Sequence, residues 1–271
     1  MKKQRRAKSS KPPRQPRTPK VKKHKRVVDT LTGSQERQVL QWLSAHMPAW
    51  VTPDHLTGLG LLGSVIIAIS YGYSGQYPTL LWLAVFGFFL NWFGDSLDGT
   101  LARYRKIERP RYGFFIDHSV DAISAVMIFF SLGYSPYLRF DIASLALVGY
   151  LLLIVFTALS AYSASEFKIS YAYLGPTEIR LIAIIGTIGV FFNGMPYVHL
   201  PIKLFGITDF TFLDLITMGL VILFCAAYLL STIDMGLRLA RDERPQNYLQ
   251  TPFVKSEPSP QLKHGREVGQ G

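Results

Sequence analysis

Six long apolar runs constrain what this chain of 271 residues can fold into. They lie at about 56–73, 77–96, 118–135, 142–163, 180–196 and 211–234. Each run is close to the roughly 20 residues that a helix needs to cross a bilayer. The apolar residues of a soluble protein would be spread more evenly, so the runs predict an all-α integral membrane fold with six transmembrane helices.

A short amphipathic segment precedes the first run. Apolar side chains recur at helical spacing from Val39 to Met47, with polar side chains on the opposite face, and Ser34 is suited to cap such a helix. A helix of this kind lies in the membrane interface and does not cross the membrane. We therefore predict an interfacial amphipathic helix over residues 34–50, followed by a six-helix domain over residues 51–240.

The net charge of +11 is concentrated at the N-terminus, because residues 1–26 contain 13 Lys and Arg and no acid. We predict a basic disordered cytoplasmic arm over residues 1–33 and a flexible cytoplasmic tail over 241–271. Beside a membrane domain, such an arm either binds anionic lipid head groups or only fixes the orientation of the protein. We expect no nucleic acid partner.

The distribution of the other cations predicts which side of the membrane each loop faces. Cations cluster in alternate loops, where they are typical of the cytoplasmic side: Arg103, Arg105, Lys106, Arg109, Arg111, Lys168, Arg180, Arg238 and Arg241. Two of the opposite loops, YSGQYP and FNGMPYVHLPIKLFGITD, contain a single Lys between them. We therefore expect a multi-pass protein with both termini in the cytoplasm. Its one cysteine, Cys225, excludes a disulfide framework and a metal–thiolate cluster.

Four aspartates occur where the second and third apolar runs approach each other, in GDSLDGTLARYRKIERPRYGFFIDHSVDAIS at 94–124. Asp95 and Asp98 are three residues apart, and Asp117 and Asp121 are four apart, so each pair lies on one helix face. Burying carboxylates near hydrocarbon is costly unless a cation pairs with them. Hard oxygen ligands of this kind suit Mg²⁺ or Mn²⁺. The pattern predicts a divalent metal site with more than one ion.

The residues around the aspartates suit a phosphate ligand. Gly99 lets a ligand approach the backbone, Gly113 does the same in the second half of the segment, and Arg103 is placed to bind a phosphate with its guanidinium. Carboxylate-bound divalent ions near a cytoplasmic surface commonly serve phosphate chemistry. We therefore predict a phosphate-transfer site at the cytoplasmic face.

The full pattern resembles the signature of the CDP-alcohol phosphatidyltransferase family. The matching residues are Asp95, Asp98, Gly99, Ala102, Arg103, Gly113, Asp117 and Asp121, and TPDHLT at 52–57 is a weaker likeness. The resemblance implies that the four aspartates bind two metal ions. It also implies that Gly99, Arg103 and Gly113 contact the CDP moiety, and that Asp121 serves as the catalytic base while CMP leaves.

The sequence constrains the identity of the acceptor less than it constrains the metal and CDP sites. Lys168, Arg180 and Arg238 either form a pocket for a phosphorylated polar acceptor or only anchor the loops on the cytoplasmic side. We favour transfer of a phosphatidyl group from CDP-diacylglycerol to a soluble alcohol such as glycerol phosphate, inositol phosphate or serine, by a homodimer. The alternative uses CDP-choline or CDP-ethanolamine with diacylglycerol, because FIDHSVDAIS resembles those phosphotransferases through His118.

A non-enzymatic transporter or scaffold is a third possibility. In a transporter, acidic residues that line an ion path are expected near the middle of the membrane. The four aspartates instead cluster at one end, beside the predicted cytoplasmic cations. This position favours an enzyme.

Overall fold

The computed structural model describes residues 25–27, 33–164, 166–168, 176–194, 197–204 and 207–242. This part of the chain contains seven helices: α1 Gly33–His46, α2 Pro53–Ser74, α3 Leu80–Tyr104, α4 Pro110–Tyr134, α5 Phe140–Ala164, α6 Pro176–Asn193 and α7 Phe212–Asp242. The helices α2 to α7 are long and apolar enough to cross a membrane. The predicted fold class of six transmembrane helices preceded by a shorter helix is confirmed.

The described residues also include four short strands. β1 (Lys25–Val27) pairs in parallel with β2 (Glu166–Lys168), and β3 (Tyr197–Leu204) pairs antiparallel with β4 (Ile207–Thr211) between α6 and α7. Most of the predicted basic arm and of the predicted C-terminal tail lies outside the described residues. The proposed character of both segments therefore stays a prediction.

The helices extend beyond the apolar runs that predicted them. α3 continues to Tyr104, whereas the second run ends near residue 96, and α4 begins at Pro110, ahead of the run that starts near 118. Hydropathy marks only the part of a helix that lies in hydrocarbon, and a helix continues readily into the polar interface. Pro110 occupies a first-turn position that tolerates proline. All four aspartates consequently lie within helices.

α3 is the central helix at the end of the bundle that carries the four aspartates. It packs against α1, α2 and α6, while α4 packs against α2 and α5, and α5 packs against α7. Apolar side chains fill the contact between α1, α2 and α3, including Leu40, Leu56, Leu97 and Leu101. This arrangement holds the aspartate-bearing parts of α3 and α4 beside the first turns of α2 and α6.

α2 and α3 cross with their backbones in direct contact. A Cβ atom at Gly63 would lie 2.6 Å from the backbone nitrogen of Asn91, closer than real Cβ atoms approach other atoms. The Asn91 side-chain amide donates to the carbonyl of Gly60 at 3.0 Å and to the Ser64 hydroxyl at 2.9 Å. The crossing therefore fixes the register of α3 against α2.

The first turn of α2 begins with a capping box. Thr52 is the N-cap, and its hydroxyl accepts a hydrogen bond from the His55 backbone N–H at 3.3 Å. In return, the Thr52 N–H donates to His55 Nδ1 at 3.3 Å. Each group satisfies a backbone donor that the helix itself leaves unpaired. His55 thus helps to start α2 close to the aspartates.

The helix α1 is attached to the bundle and also presents an apolar surface outward. Leu40 is buried against α3, whereas Trp42 is 62% exposed. Beyond the C-terminus of α1, the Arg105 guanidinium donates to the carbonyls of Met47 at 3.0 Å and Pro48 at 2.8 Å. α1 begins at Gly33, so Ser34 lies inside the helix, two positions later than the N-cap. The amphipathic character predicted for this segment agrees with its burial pattern.

Candidate active site

Three of the four aspartates form one group. Asp95 lies on α3, and Asp117 and Asp121 lie one turn apart on α4. Each contributes a carboxylate oxygen that lies within 4.8 Å of the others. A small cavity borders the group, and its walls are formed by Thr57, Gly60, Asn91, Asp95, Asp117, Val120 and Asp121. The helical spacing predicted two pairs of aspartates. α3 and α4 both pack against α2, and this arrangement brings three of the four carboxylates together.

Asp98 is held differently. Thr57 Oγ1, on the first turn of α2, donates a hydrogen bond to Asp98 Oδ2 at 2.6 Å. The backbone N–H of Gly99 also donates to the Asp98 carboxylate. Thr57 was not predicted as a site residue, because it lies 41 residues away in the chain and no local pattern connects it to Asp98.

Arg180 reaches into the group from α6. Its Nη2 donates to Asp95 Oδ2 at 2.6 Å, and its side chain is 12% exposed. Among the described residues, Nη1 of the same guanidinium is buried and has no hydrogen-bond partner. The sequence placed Arg180 at the end of a loop, but the helix α6 begins at Pro176 and carries the side chain inward. One cation therefore lies within the acidic group itself.

The donor set fits a divalent ion. Asp95, Asp117 and Asp121 supply converging oxygen atoms, and the ion pair with Arg180 offsets only part of their negative charge. Carboxylate oxygens are the ligands that Mg²⁺ and Mn²⁺ prefer. These three residues are placed to hold such an ion, and Asp98 lies on the same helix one turn beyond Asp95. The assignment of all four as metal ligands stays a prediction.

The residues expected to contact CDP lie at the end of α3 and the start of α4. The Arg103 guanidinium lies over Gly99, because a Cβ atom at Gly99 would be 3.3 Å from Arg103 Nη1. Arg103 Nη2 donates to the Thr100 hydroxyl at 3.0 Å. No heavy atom lies within 4 Å of a Cβ atom placed at Gly113. Gly99 is therefore covered by the Arg103 guanidinium, whereas Gly113 faces open space, and the contacts of these residues with CDP stay a prediction.

Arg180 and Arg238, two of the three cations predicted for the acceptor, have different partners. Arg238 forms an ion pair with Asp234 at 3.0 Å on α7, and both side chains are about half exposed. Lys168 ends the strand β2, and its side chain lies outside the described residues. Of the two cations whose side chains are described, Arg180 lies at the aspartates and Arg238 is paired on α7. Loop charge alone cannot distinguish an inward-facing arginine from one on an outer helix face.

His118 faces the preceding turn of its own helix. Its Nδ1 lies 3.0 Å from the backbone carbonyl of Phe114, and the two rings stack at 4.2 Å. The same nitrogen is 3.8 Å from Asp117 Oδ2. A hydrogen bond from Nδ1 to the carbonyl would leave Nε2 as the acceptor nitrogen of a neutral ring. His118 is thus adjacent to the aspartates and oriented by the α4 backbone.

A comparison with known families gives the wider context for this geometry. The model of the CDP-alcohol phosphatidyltransferase family matches residues 50–229, which include the whole aspartate segment. The chain belongs to the CDP-alcohol phosphatidyltransferase family. The resemblance noted in the sequence is confirmed. The prediction that the protein is an enzyme of this class is confirmed with it, and the transporter and scaffold hypotheses lose their support.

Individual relatives cover shorter regions. The chain is 33% identical over 99 residues to archaetidylinositol phosphate synthase of Pyrococcus horikoshii, covering 36% of this chain and 50% of the relative. It is 36% identical over 89 residues to phosphatidylinositol phosphate synthase of Cutibacterium acnes, covering 31% and 39%. It is 32% identical over 93 residues to cholinephosphotransferase 1 of Danio rerio, covering 32% and 24%. The aligned regions span half or less of each relative.

A solved structure is also similar. Mycobacterium tuberculosis phosphatidylinositol phosphate synthase with CDP-DAG bound aligns with a TM-score of 0.47 at 18% identity. The alignment covers 76% of this chain and 93% of that structure.

Proposed function

We propose that the protein transfers a phosphatidyl group from CDP-diacylglycerol to a hydroxyl of a small phosphorylated alcohol and releases CMP. The observation that carries this proposal is the position of Arg180 inside the aspartate group. Its guanidinium is bonded to Asp95 through one nitrogen and keeps a second, buried nitrogen unpaired among the described residues. A guanidinium in this state is suited to bind the phosphate of an acceptor close to the reacting atoms.

The donor side of the reaction uses the four aspartates and the residues around Gly99. Asp95, Asp98, Asp117 and Asp121 are proposed to hold two divalent ions, Mg²⁺ or Mn²⁺. When bound, such ions neutralise phosphate charge and stabilise the negative charge that develops on the leaving CMP. Arg103 is proposed to bind the diphosphate beside Gly99, where the missing side chain leaves room for the guanidinium. No heavy atom lies within 4 Å of a Cβ atom at Gly113, so this glycine leaves room for a ligand on α4.

Asp121 is proposed to act as the base. Its carboxylate takes the proton of the acceptor hydroxyl as the hydroxyl oxygen forms a bond to phosphorus of the phosphatidyl group. The bond from that phosphorus to the CMP oxygen breaks, and CMP leaves with the electron pair of the broken bond. Asp121 lies one helical turn from Asp117 and borders the cavity at the group. A proton acceptor at the edge of the site has access to the incoming hydroxyl.

Inositol phosphate is the first acceptor to test. Two of the relatives are named as synthases of archaetidylinositol phosphate and phosphatidylinositol phosphate. A phosphate group also matches the fork of N–H donors on Arg180. Lys168 and Arg238 stay predictions as further acceptor contacts, and the ion pair of Arg238 with Asp234 on an exposed face of α7 gives Arg238 less support.

The remaining proposals concern the setting of the site. The clustering of cations in alternate loops supports an active site and both termini on the cytoplasmic side. The basic arm is proposed to attract anionic lipids, and the protein is proposed to work as a homodimer. These features follow from the sequence and its resemblance to the family.

A second candidate reaction transfers the phosphocholine group of CDP-choline, or the phosphoethanolamine group of CDP-ethanolamine, to diacylglycerol and releases CMP. It is favoured by the position of His118 directly after Asp117, and by the similarity to cholinephosphotransferase 1. The two reactions differ in which substrate is the lipid. A single assay with exchanged donors therefore distinguishes them.

The test is CMP release by the purified protein with Mg²⁺ or Mn²⁺. Each donor, CDP-diacylglycerol, CDP-choline or CDP-ethanolamine, is combined with inositol phosphate, glycerol phosphate, serine or diacylglycerol. We expect turnover with CDP-diacylglycerol and a phosphorylated alcohol, loss of turnover in EDTA, and an inactive Asp117→Ala variant that still inserts into membranes. Turnover with CDP-choline and diacylglycerol alone would establish the second candidate. Full activity in EDTA would contradict the metal assignment.

A further inference from the structure

The Glu36 side chain joins three helices through one oxygen atom. Glu36 lies in the first turn of α1, and its Oε1 accepts hydrogen bonds from Trp92 Nε1 at 2.8 Å and Ser96 Oγ at 3.3 Å on α3. The same atom accepts a hydrogen bond from Thr177 Oγ1 at 2.9 Å on α6. The interfacial helix therefore bonds to two helices of the membrane domain at a single point.

This junction lies beside the aspartate group. Ser96 directly follows Asp95 on α3, and Thr177 precedes Arg180 by about one helical turn on α6. The Asp95–Arg180 ion pair at 2.6 Å is consequently the next link between the same two helices. A displacement of the first turn of α6 would move Arg180 relative to Asp95.

The opposite end of α1 is also fastened. The Arg105 guanidinium at the end of α3 donates to the backbone carbonyls of Met47, Pro48 and Val51, at 2.5–3.0 Å. With Glu36 at one end and these carbonyls at the other, α1 is held along its length against α3. α1 is therefore fixed on α3, and the hydrogen bond from Thr177 to Glu36 positions α6 relative to α1.

We propose that Glu36 is a positioning residue that holds the first turn of α6 and thereby sets Arg180 for acceptor binding. Glu36 is not proposed to contact either substrate. It acts through Thr177, while the bond from Trp92 at 2.8 Å keeps its carboxylate in place and the bond from Ser96 at 3.3 Å is the longest of the three. The acceptor role of Arg180 belongs to the proposed function, and the inference about Glu36 rests on it.

Four variants separate this role from general stability. Glu36→Ala removes all three bonds, and Thr177→Val removes only the bond to α6 while keeping the shape of the side chain. Ser96→Ala is the matched control, because it removes one hydroxyl bond to Glu36 from α3 and leaves α6 attached. Glu36→Gln keeps an accepting oxygen of the same reach.

The kinetic readout is the KM for each substrate, measured by CMP release. We expect Glu36→Ala and Thr177→Val to raise the KM for the acceptor about fivefold to tenfold, which is within the usual effect of losing one hydrogen bond. The KM for the CDP donor and kcat should each change less than twofold, because Glu36 is proposed to affect acceptor binding alone. Glu36→Gln and Ser96→Ala should resemble the unmodified protein. Equal changes for both substrates, or an equal effect of Ser96→Ala, would overturn the proposal.

A second readout does not depend on turnover. Hydrogen–deuterium exchange of peptides that cover residues 176–182 reports directly on the first turn of α6. Glu36→Ala and Thr177→Val should speed exchange there, and Ser96→Ala should not. If none of the acceptors supports turnover, the proposed function fails while this result still tests the role of Glu36. Unchanged exchange in Glu36→Ala would overturn the positioning role even in an active enzyme.

Discussion

At the scale of single residues, the four aspartates differ in what holds each carboxylate. Asp98 accepts a hydrogen bond from Thr57 at 2.6 Å, whereas Asp95 is paired with Arg180. Groups that orient a metal ligand from outside the coordination sphere affect both metal affinity and rate. Thr57 is such a group for Asp98 if Asp98 binds metal as predicted.

Replacing Thr57 with Val should therefore weaken the response to metal. The variant keeps the size of the side chain but leaves the Asp98 carboxylate without its donor from α2. We expect the Mg²⁺ concentration for half-maximal CMP release to rise about tenfold, within the range known for such orienting groups. The measurement is a Mg²⁺ titration at saturating substrates.

Thr187→Val is the matched control for that titration. Thr187 bonds to Tyr71 at 2.6 Å, and Tyr71 lies in the last turns of α2, at the other end of the helix from Thr57. The control should leave the Mg²⁺ requirement unchanged whatever it does to stability. An equal shift in both variants would mean that Thr57 acts on the fold and not on Asp98.

Asp121→Asn tests the proposed base. The amide keeps the size of the side chain and one oxygen atom, but it cannot take the proton of the acceptor hydroxyl. We expect turnover to fall by about 10²–10⁴, the usual contribution of a positioned base, while the CDP donor still binds in the presence of metal. Donor binding is measured by equilibrium binding of radiolabelled CDP-diacylglycerol in detergent.

Asp141→Asn provides the comparison for that loss. Asp141 pairs with Arg139 at 2.5 Å at the start of α5, outside the aspartate group, so its turnover should match that of the unmodified protein. Loss of donor binding in Asp121→Asn would make Asp121 chiefly a metal ligand. Near-normal turnover in that variant would move the base elsewhere, with His118 the first alternative.

The site residues that could be predicted are those whose meaning lies in local spacing. The spacing of three or four residues predicts that Asp95 lies on the same helix face as Asp98, and Asp117 on the same face as Asp121. No such local spacing predicts the roles of Thr57 and Glu36. Their partners lie 41 and 141 residues away, and only the packed helices bring them together.

At the scale of elements, the crossing of α2 and α3 depends on the absence of side chains. Gly63→Ala should destabilise the protein, because the new methyl group would meet the backbone of Asn91 and force the helices apart. The cost of such overpacking is about 1–3 kcal/mol. We expect a lower midpoint of thermal unfolding in detergent, together with lower activity, since the crossing places Asp95.

Gly72→Ala is the matched control on the same helix. No heavy atom lies within 4 Å of a Cβ atom at Gly72, and alanine is the better helix former. The midpoint should stay the same or rise slightly. A similar fall in both variants would show that α2 tolerates no alanine for reasons unrelated to its crossing with α3.

The existence of the six spans was predictable, whereas their ends and the β3–β4 hairpin were not. Each long apolar run marks the part of a helix that lies in hydrocarbon, and a run of about 20 residues predicts a transmembrane helix. Tyr104 and Pro110 end and begin their helices in polar sequence, where hydropathy carries no signal. The hairpin depends on pairing between two short strands, which neither strand specifies alone.

At the scale of the whole molecule, the predicted arm concentrates basic charge next to the membrane domain. Deleting residues 2–24 should leave turnover in detergent nearly unchanged, because no proposed site residue is removed. It should weaken the attraction to anionic liposomes by about 1 kcal/mol for each basic residue that approaches the surface. Both are measured on the same purified protein, by CMP release and by liposome flotation.

Neutral liposomes are the control for this comparison, since the two proteins should bind them equally. Lower turnover in detergent with the fold intact would instead assign the arm to the catalytic machinery. Equal flotation on anionic liposomes would remove lipid attraction as its role and leave only orientation.

The attachment of α1 also has a consequence for the order in which the protein is assembled on the ribosome. Glu36 is synthesised well before its partners, and Thr177 follows it by 141 residues. At about 5–20 residues per second, the nascent chain needs on the order of ten seconds to supply that partner. During this interval α1 lacks its contact with α6, and its exposed apolar residues, including Trp42, can bind the lipid surface. The junction at Glu36 can close only after α6 has been inserted, which makes it a late step of biogenesis.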